Sequence, residues 1–195
     1  MKIPVFVSRP STLNTEQFAT QEALFSEFDS LGLEPRTLRQ SDYPTEAPIG
    51  EVVALARHCA GAAILGFVQL TVQSGVLKPG TATETKVDAL YLGTAWNQVE
   101  GGILYALKLP LLVFRERGVT EGIFEKGSSE FFIQDLPVPW ASRRDPNRVH
   151  EVLLKWQGQV RMRYHGGSWL AELDGRRASE MAPLWHNPRA SPSGR

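Results

Sequence analysis

The chain has little cysteine, little histidine and no excess of charge, and each shortage removes a class of function. One cysteine in 195 residues, Cys59, excludes an internal disulfide and any zinc site built on clustered thiolates. His58, His150, His165 and His186 show no metal-ligand spacing and mostly lie late in the chain, so no metal is assigned. Lys and Arg number 21 against 21 Asp and Glu, so no basic field marks the chain for nucleic acid or an anionic membrane surface. No window approaches the roughly 18 consecutive apolar residues of a membrane span, and the opening residues MKIPVFVSRP are too polar for a signal-peptide core. The expectation is a soluble, cytoplasmic protein with no membrane or nucleic-acid partner. A Walker phosphate loop and a Gly-x-Gly-x-x-Gly turn are also missing after the first apolar run.

What is present is an alternation. With 42% of residues hydrophobic the chain can bury one sizeable core. Apolar runs of strand length alternate with stretches of helical period, the pattern of a parallel sheet covered on both faces. Pro4–Ser8 reads as the first strand. Asn14-Thr15-Glu16-Gln17 reads as a helix start with Asn14 as cap and Gln17 reaching back, and Phe18, Leu24, Phe25, Phe28 and Leu31 mark one face before Gly32 ends it. A short strand near Arg36–Leu38 and a polar turn, Ser41–Thr45, precede Ile49, Val52, Val53 and Ala56 at helical spacing. His58-Cys59 reads as a helix terminus with a small buried thiol, since a nucleophilic cysteine needs a base that spacing alone does not supply.

Ala62–Phe67 is apolar without alternation, as in a central strand. Residues 69–94 follow no period and read as a long loop at the carboxyl end of that strand, and Ala95–Leu107 returns to helix. Leu111–Phe114 and Phe131–Ile133 read as further strands, and Asp145-Pro146 precedes a last helix marked by Val149, Val152, Leu153, Trp156 and Val160. The expected fold is α/β, a flavodoxin-like three-layer sandwich with a five-stranded, mainly parallel sheet over residues 1–165. Residues 166–195 form an extension, partly disordered, in which Trp169, Leu170, Leu173, Leu184 and Trp185 suffice to dock locally but not to build a core.

In open parallel sheets ligands lie outside the carboxyl ends of the strands, where strand order reverses. That selects Ser8-Arg9-Pro10, Ser41–Thr45, the loop after Phe67 and Arg115-Glu116-Arg117. At about 100° per residue, Trp96, Val99, Ile103, Ala106 and Leu107 form an apolar stripe with Glu100 inside it. A carboxylate there must be satisfied by partners or open into a cavity, and the helix dipole favours its ionised form. Such a group suits attack on, or stabilisation of, a positively charged sugar carbon; it equally suits a plain pairing with an arginine or with backbone amides. Gly101-Gly102 costs about 1 kcal/mol per residue relative to alanine inside a helix, so a ligand, a neighbouring strand or a second subunit is expected to approach closely there.

The order strand, Ser8-Arg9, helix, Ala62–Phe67, loop, Trp96-x-x-x-Glu100 resembles Toll/interleukin-receptor-like (TIR-like) domains, and the stretch from Glu100 to Val113 is similar to nucleoside 2-deoxyribosyltransferases. The resemblance, over Ile3 to Asp135, implies cleavage of an N-glycosidic bond with Glu100 as the catalytic residue. It implies Ser8 and Arg9 on phosphates and Trp96 or Phe67 stacked on a ring. Thr94 precedes the glutamate by six residues, whereas the transferases place Gly-Thr about three before theirs, and Asn97 follows the tryptophan where TIR domains usually carry cysteine; both are expected on the substrate side. The acidic residue that the transferases carry after strand three has Asp88 as its candidate. No cofactor is implied; NAD enters as a substrate, with a deoxynucleoside second, and self-association is expected because both families often complete their sites with a second subunit. Duller roles stay open on the residues alone: Arg9 as a solvated turn residue, Ser8 capping a turn, Trp96 in the core, and Arg115-Glu116-Arg117 as a solvated loop. A non-catalytic nucleotide-binding or assembly module of the same fold is the alternative function.

Overall fold

The first strand, β1 (Ile3–Ser8), is almost wholly buried. It feeds α1 (Thr15–Ser30), whose start is fixed by the expected capping box: the Gln17 amide donates to Asn14 Oδ1 at 2.9 Å and Gln17 Oε1 accepts from the Asn14 amide at 3.2 Å. Leu24 and Phe28 are fully buried, whereas Phe18, expected on the same face, is 54% exposed. The inner face passes through Gln17, Thr20 and Gln21 instead, because the first turns lie over strand ends where polar groups find partners.

The computed structural model describes residues 1–38, 48–127, 132–140 and 148–166, with Pro48 and Phe132 by backbone alone. The turn Ser41–Thr45, Phe131, Asp145-Pro146 and residues 167–195 lie outside the described residues. β2 (Leu33–Arg36) begins three residues before the strand expected near Arg36–Leu38. In α2 (Pro48–Arg57) Val52 and Ala56 are buried, but Ile49, in the first turn, is half exposed. Cys59 is buried, and burial pushes its thiol up to about 12. β3 (Gly61–Gly66) is buried at every position, as its unbroken apolar run requires.

Residues 69–94 are not a loop without regular structure. They form an arm of two short antiparallel ladders, β4 (Leu70–Val72) with β7 (Leu90–Leu92) and, further out, β5 (Gly75–Leu77) with β6 (Thr85–Val87). Three-residue strands are too short to display a period of two, which is why the stretch reads as irregular in sequence. α3 (Ala95–Ala106) follows, then β8 (Leu111–Glu116), a 3-10 turn at Gly122–Phe124, β9 (Phe132–Leu136) and α4 (Val149–His165).

The central sheet has the order β2-β1-β3-β8-β9, and all four pairings are parallel. α1 and α4 cover one face, with Leu24, Phe28, Val149, Leu153, Trp156 and Val160 against Val5, Leu65 and Phe114. α2 and α3 cover the other, with Val52, Ala56 and Leu104 against Phe6, Ile64 and Val113. The expected sandwich is present, and the sheet is parallel throughout. Each large apolar side chain sealed in these layers contributes roughly 1.5–3 kcal/mol of burial, which makes the two faces the main hold on the fold. The chain winds outward from β1 to β2, then crosses back past β1 to β3, so the strand order reverses between β1 and β3.

Candidate functional site

The reversal leaves the carboxyl end of β1 beside the helix that follows the arm. Ser8, the last residue of β1, is 1% exposed. α3 starts where it does because Thr94, in an extended conformation, accepts the Asn97 amide on its hydroxyl at 3.1 Å. The same hydroxyl donates its proton to Asn97 Oδ1 at 2.8 Å. That bond settles the orientation of the Asn97 amide, which is fully buried, and turns its nitrogen to Ser8, where Nδ2 donates to Oγ at 2.8 Å. With its acceptor side engaged, the Ser8 hydroxyl is left to donate, and its influence on the Glu100 carboxyl is to favour the ionised form. Thr94, Asn97 and Ser8 thus form one directed chain of hydrogen bonds that leaves the Ser8 proton free to favour the Glu100 carboxylate.

Glu100 is partly buried, and no arginine, lysine or backbone amide supports it among the described residues. Burial pushes its carboxyl above the ordinary glutamate range, and the Ser8 hydroxyl opposes that by favouring the ionised form. The helix dipole, expected to favour the ionised form, acts on it weakly. Glu100 is the sixth residue of α3, beyond the turn over which the dipole acts strongly.

The expected stripe is also corrected. Trp96 is 44% exposed and Val99 41%, and Ala95, Gly102 and Ala106 are exposed as well; the sheet is met instead by Asn97, Gly101 and Leu104. Gly101 explains the choice of face, since a Cβ there would stand 2.7 Å from Ile123 Cδ1 and 3.1 Å from Ile64 Cδ1. Its missing side chain lets α3 settle close to β3, the neighbouring-strand approach expected of the pair. Gly102 has nothing within 4 Å of the same construction and faces open space.

The other expected residues divide. Phe67 is completely buried in the core on the α1 and α4 side and offers no ring face to a ligand, which overturns its stacking role. Trp96 stands at the surface of α3, free of the core role. Arg9 is partly buried; its Nη1 donates to Pro10 O at 2.9 Å, while its Nε is buried without a hydrogen-bond partner among the described residues. Asp88 lies between β6 and β7, in the arm. Arg115 is engaged by Asp135 at 2.6 Å and by Phe124 O at 2.6 Å, so it holds the sheet edge instead of a phosphate.

Three residues gain roles that spacing did not show. Glu116 Oε2 accepts from the Val68 amide at 2.9 Å and from Gln17 Nε2 at 2.9 Å, and the same Gln17 amide donates to Val68 O at 3.0 Å. The root of the arm is thereby fastened to β8 and to the first turn of α1. The capping box made Gln17 visible in the sequence, but its free amide gave no sign of where it would reach. Gln98 holds the turn after β8 in the same manner, donating to Glu121 O and accepting from the Ile123 amide.

Among the described residues no group of three or more His, Cys, Asp and Glu is placed to hold a metal ion, and no helix is long and apolar enough to cross a membrane. No protein-family model matches the chain, and no curated protein is similar to it.

Proposed function

We propose that the chain cleaves an N-glycosidic bond through Glu100, with a nucleotide of the NAD type as the first candidate substrate and a deoxynucleoside as the second. The observation that carries this reading is a partly buried carboxylate, Glu100, without a basic partner among the described residues, beside a Ser8 hydroxyl oriented by Asn97 and Thr94 at the β1/β3 reversal. The resemblance of the Trp96–Val113 segment to TIR-like domains and nucleoside 2-deoxyribosyltransferases supports it.

In the proposed step the bond between the sugar carbon and the ring nitrogen breaks, and its electron pair goes to the leaving base. Nicotinamide departs neutral from a cationic ring, so no strong general acid is required. The sugar is left as a cation facing Glu100, whose ionised form stabilises or captures it before water adds and releases its proton to solvent. Asn97 and Thr94 keep Ser8 fixed, and its hydroxyl favours the ionised carboxylate. Arg9, partly buried and next to Ser8 in the chain, is suited to an anionic oxygen of a nucleotide phosphate.

Incubating the wild type and Glu100→Gln with NAD and, separately, with 2′-deoxynucleosides, and following free nicotinamide or free base by chromatography, tests the proposal. The expected result is release by the wild type and a loss of at least about a hundredfold in the variant. Equal release by both proteins overturns Glu100 as the catalytic residue. Binding of nucleotide without release by either overturns turnover and leaves a nucleotide-binding module.

A further inference from the structure

The arm at residues 69–92 is the most prominent feature that the proposed chemistry does not use. None of its residues is buried, and none joins either core layer. Its root is held: the Gln69 amide donates to Leu92 O at 2.8 Å, and Tyr91 lies over Gly118, where an added Cβ would stand 2.7 Å from its ring. Its tip is shaped by local bonds, from the Gly80 amide to Glu84 Oε2 at 2.6 Å and from the Thr81 amide to Lys78 O at 3.2 Å. Between root and tip stands the ladder of β5 with β6, and an isolated pair of strands is at best marginally stable in water.

β6 has an open edge. It pairs with β5 on one side and with no strand on the other among the described residues, and Thr85, Lys86 and Asp88 along it are exposed. Such an edge is a template for another strand. Around Val87 the charges are arranged in opposition, with Lys86 before it and Asp88 directly after it, and neither charged side chain has a partner among the described residues. An antiparallel copy of the same strand centred on Val87 sets each Lys86 against the other chain's Asp88, which makes this edge complementary in charge to itself. Glu84, the other acid close to Lys86, is taken up by the tip. The far edge of the ladder is a poor template, because β5 begins with Gly75 and runs directly into Lys78-Pro79, where the proline has no amide to donate. Pairing through β6 therefore closes at two chains.

We propose that two copies of the chain associate through β6, related by a two-fold axis at Val87, to give a four-stranded antiparallel ribbon in the order β5-β6-β6-β5. Lys86 of each chain faces the partner's Asp88, and Val87 meets the partner's Val87. Leu77 and Val87 share a face of the ladder, so the pairing gathers two leucines and two valines into an apolar strip that neither arm has alone. The contact is short, below about 1,200 Å2, and belongs to the class of weak, reversible pairs. The association is independent of the glycosidic reading.

Sedimentation equilibrium on the full chain should show a monomer–dimer equilibrium. Lys86→Glu and Asp88→Lys each set like charges opposite one another twice and should raise the dissociation constant about tenfold or more. Lys86→Glu combined with Asp88→Lys recreates both opposite-charge pairs and should restore association. Val87→Cys should form a disulfide between chains on mild oxidation, since residues opposite one another in an antiparallel pair have Cα atoms about 4.5–5.5 Å apart, within disulfide range. Val76→Cys, exposed on β5 and about 14 Å from its counterpart across the ribbon, should not. Cys59 is buried and does not compete. A chain that stays monomeric up to about 1 mM overturns the proposal. Association that neither single charge reversal weakens, or that the combined variant does not restore, overturns it in favour of another surface, and equal crosslinking from positions 76 and 87 overturns the register. None of these readouts depends on turnover, so failure of the pairing and failure of the proposed reaction are separately visible.

Discussion

At the scale of single residues, Glu100 is a carboxylate poised by two opposed forces. Burial raises its pKa and the Ser8 bond lowers it, so the ionised form that the proposed step needs is lost as pH falls through a value above the ordinary glutamate range of about 4.3. The acid limb of kcat/KM should therefore lie above that value. Ser8→Ala removes the opposing hydroxyl, and the limb should move to still higher pH. A limb that stays in place would show that Ser8 does not act on Glu100. Because the folded state binds the Glu100 proton more tightly than the unfolded chain does, its contribution to stability is present at low pH and lost as pH rises through the raised value. Glu100→Gln should thus be more stable than the wild type at neutral pH, by about 1 kcal/mol, in thermal denaturation. The two glycines of α3 part company in the same measurement. Gly101→Ala forces a methyl against Ile123 and Ile64 and should cost about 1–3 kcal/mol, whereas Gly102→Ala enters open space and should gain about 0.5–1 kcal/mol in helix propensity.

At the scale of elements, what the sequence shows depends on length. α1, β3 and α4 are long enough to carry their periods or unbroken apolar runs, and each forms where those signals point. The arm is invisible because its strands have three residues each and pack on almost nothing. α3 is the more instructive failure. Its apolar stripe is real, yet the buried face is chosen by Gly101, Asn97 and Leu104, because closeness to β3 and a satisfied amide outweigh the burial of Trp96 and Val99. Glu100 itself was legible, as a charge out of keeping with its helix; the identity of its partner was not, since Ser8 is 92 positions away and only the sheet brings it near. The arm's attachment gives a test at this scale. Glu116→Gln weakens the charge-assisted bonds to Val68 and Gln17. Amide hydrogen exchange across 68–92 should quicken severalfold while the central sheet stays protected, and unchanged exchange would show that the arm does not depend on Glu116.

At the scale of the whole molecule, the two covered faces of an all-parallel sheet make stability a matter of burial, with electrostatics confined to the margin. Asp135 is the clearest marginal case. Burial acts to raise its pKa, but hydrogen bonds and charges from Lys126 and Arg115 outweigh that and hold it below the ordinary range. Its stabilising effect is present above the unfolded value, about 3.9, and fades as pH falls through the lower folded value. With a side chain 54% exposed, Asp135→Asn should cost under about 1 kcal/mol at neutral pH and nothing measurable in strong acid. Cys59 turns the same core into an instrument. A thiol that is sealed and holds its proton up to about 12 cannot be alkylated where it sits, and the chain has no other cysteine to compete for reagent. Each molecule that takes up one alkyl group records one opening of the layer beneath α2, so the rate of a single mass shift becomes a clock for rare excursions from the folded state.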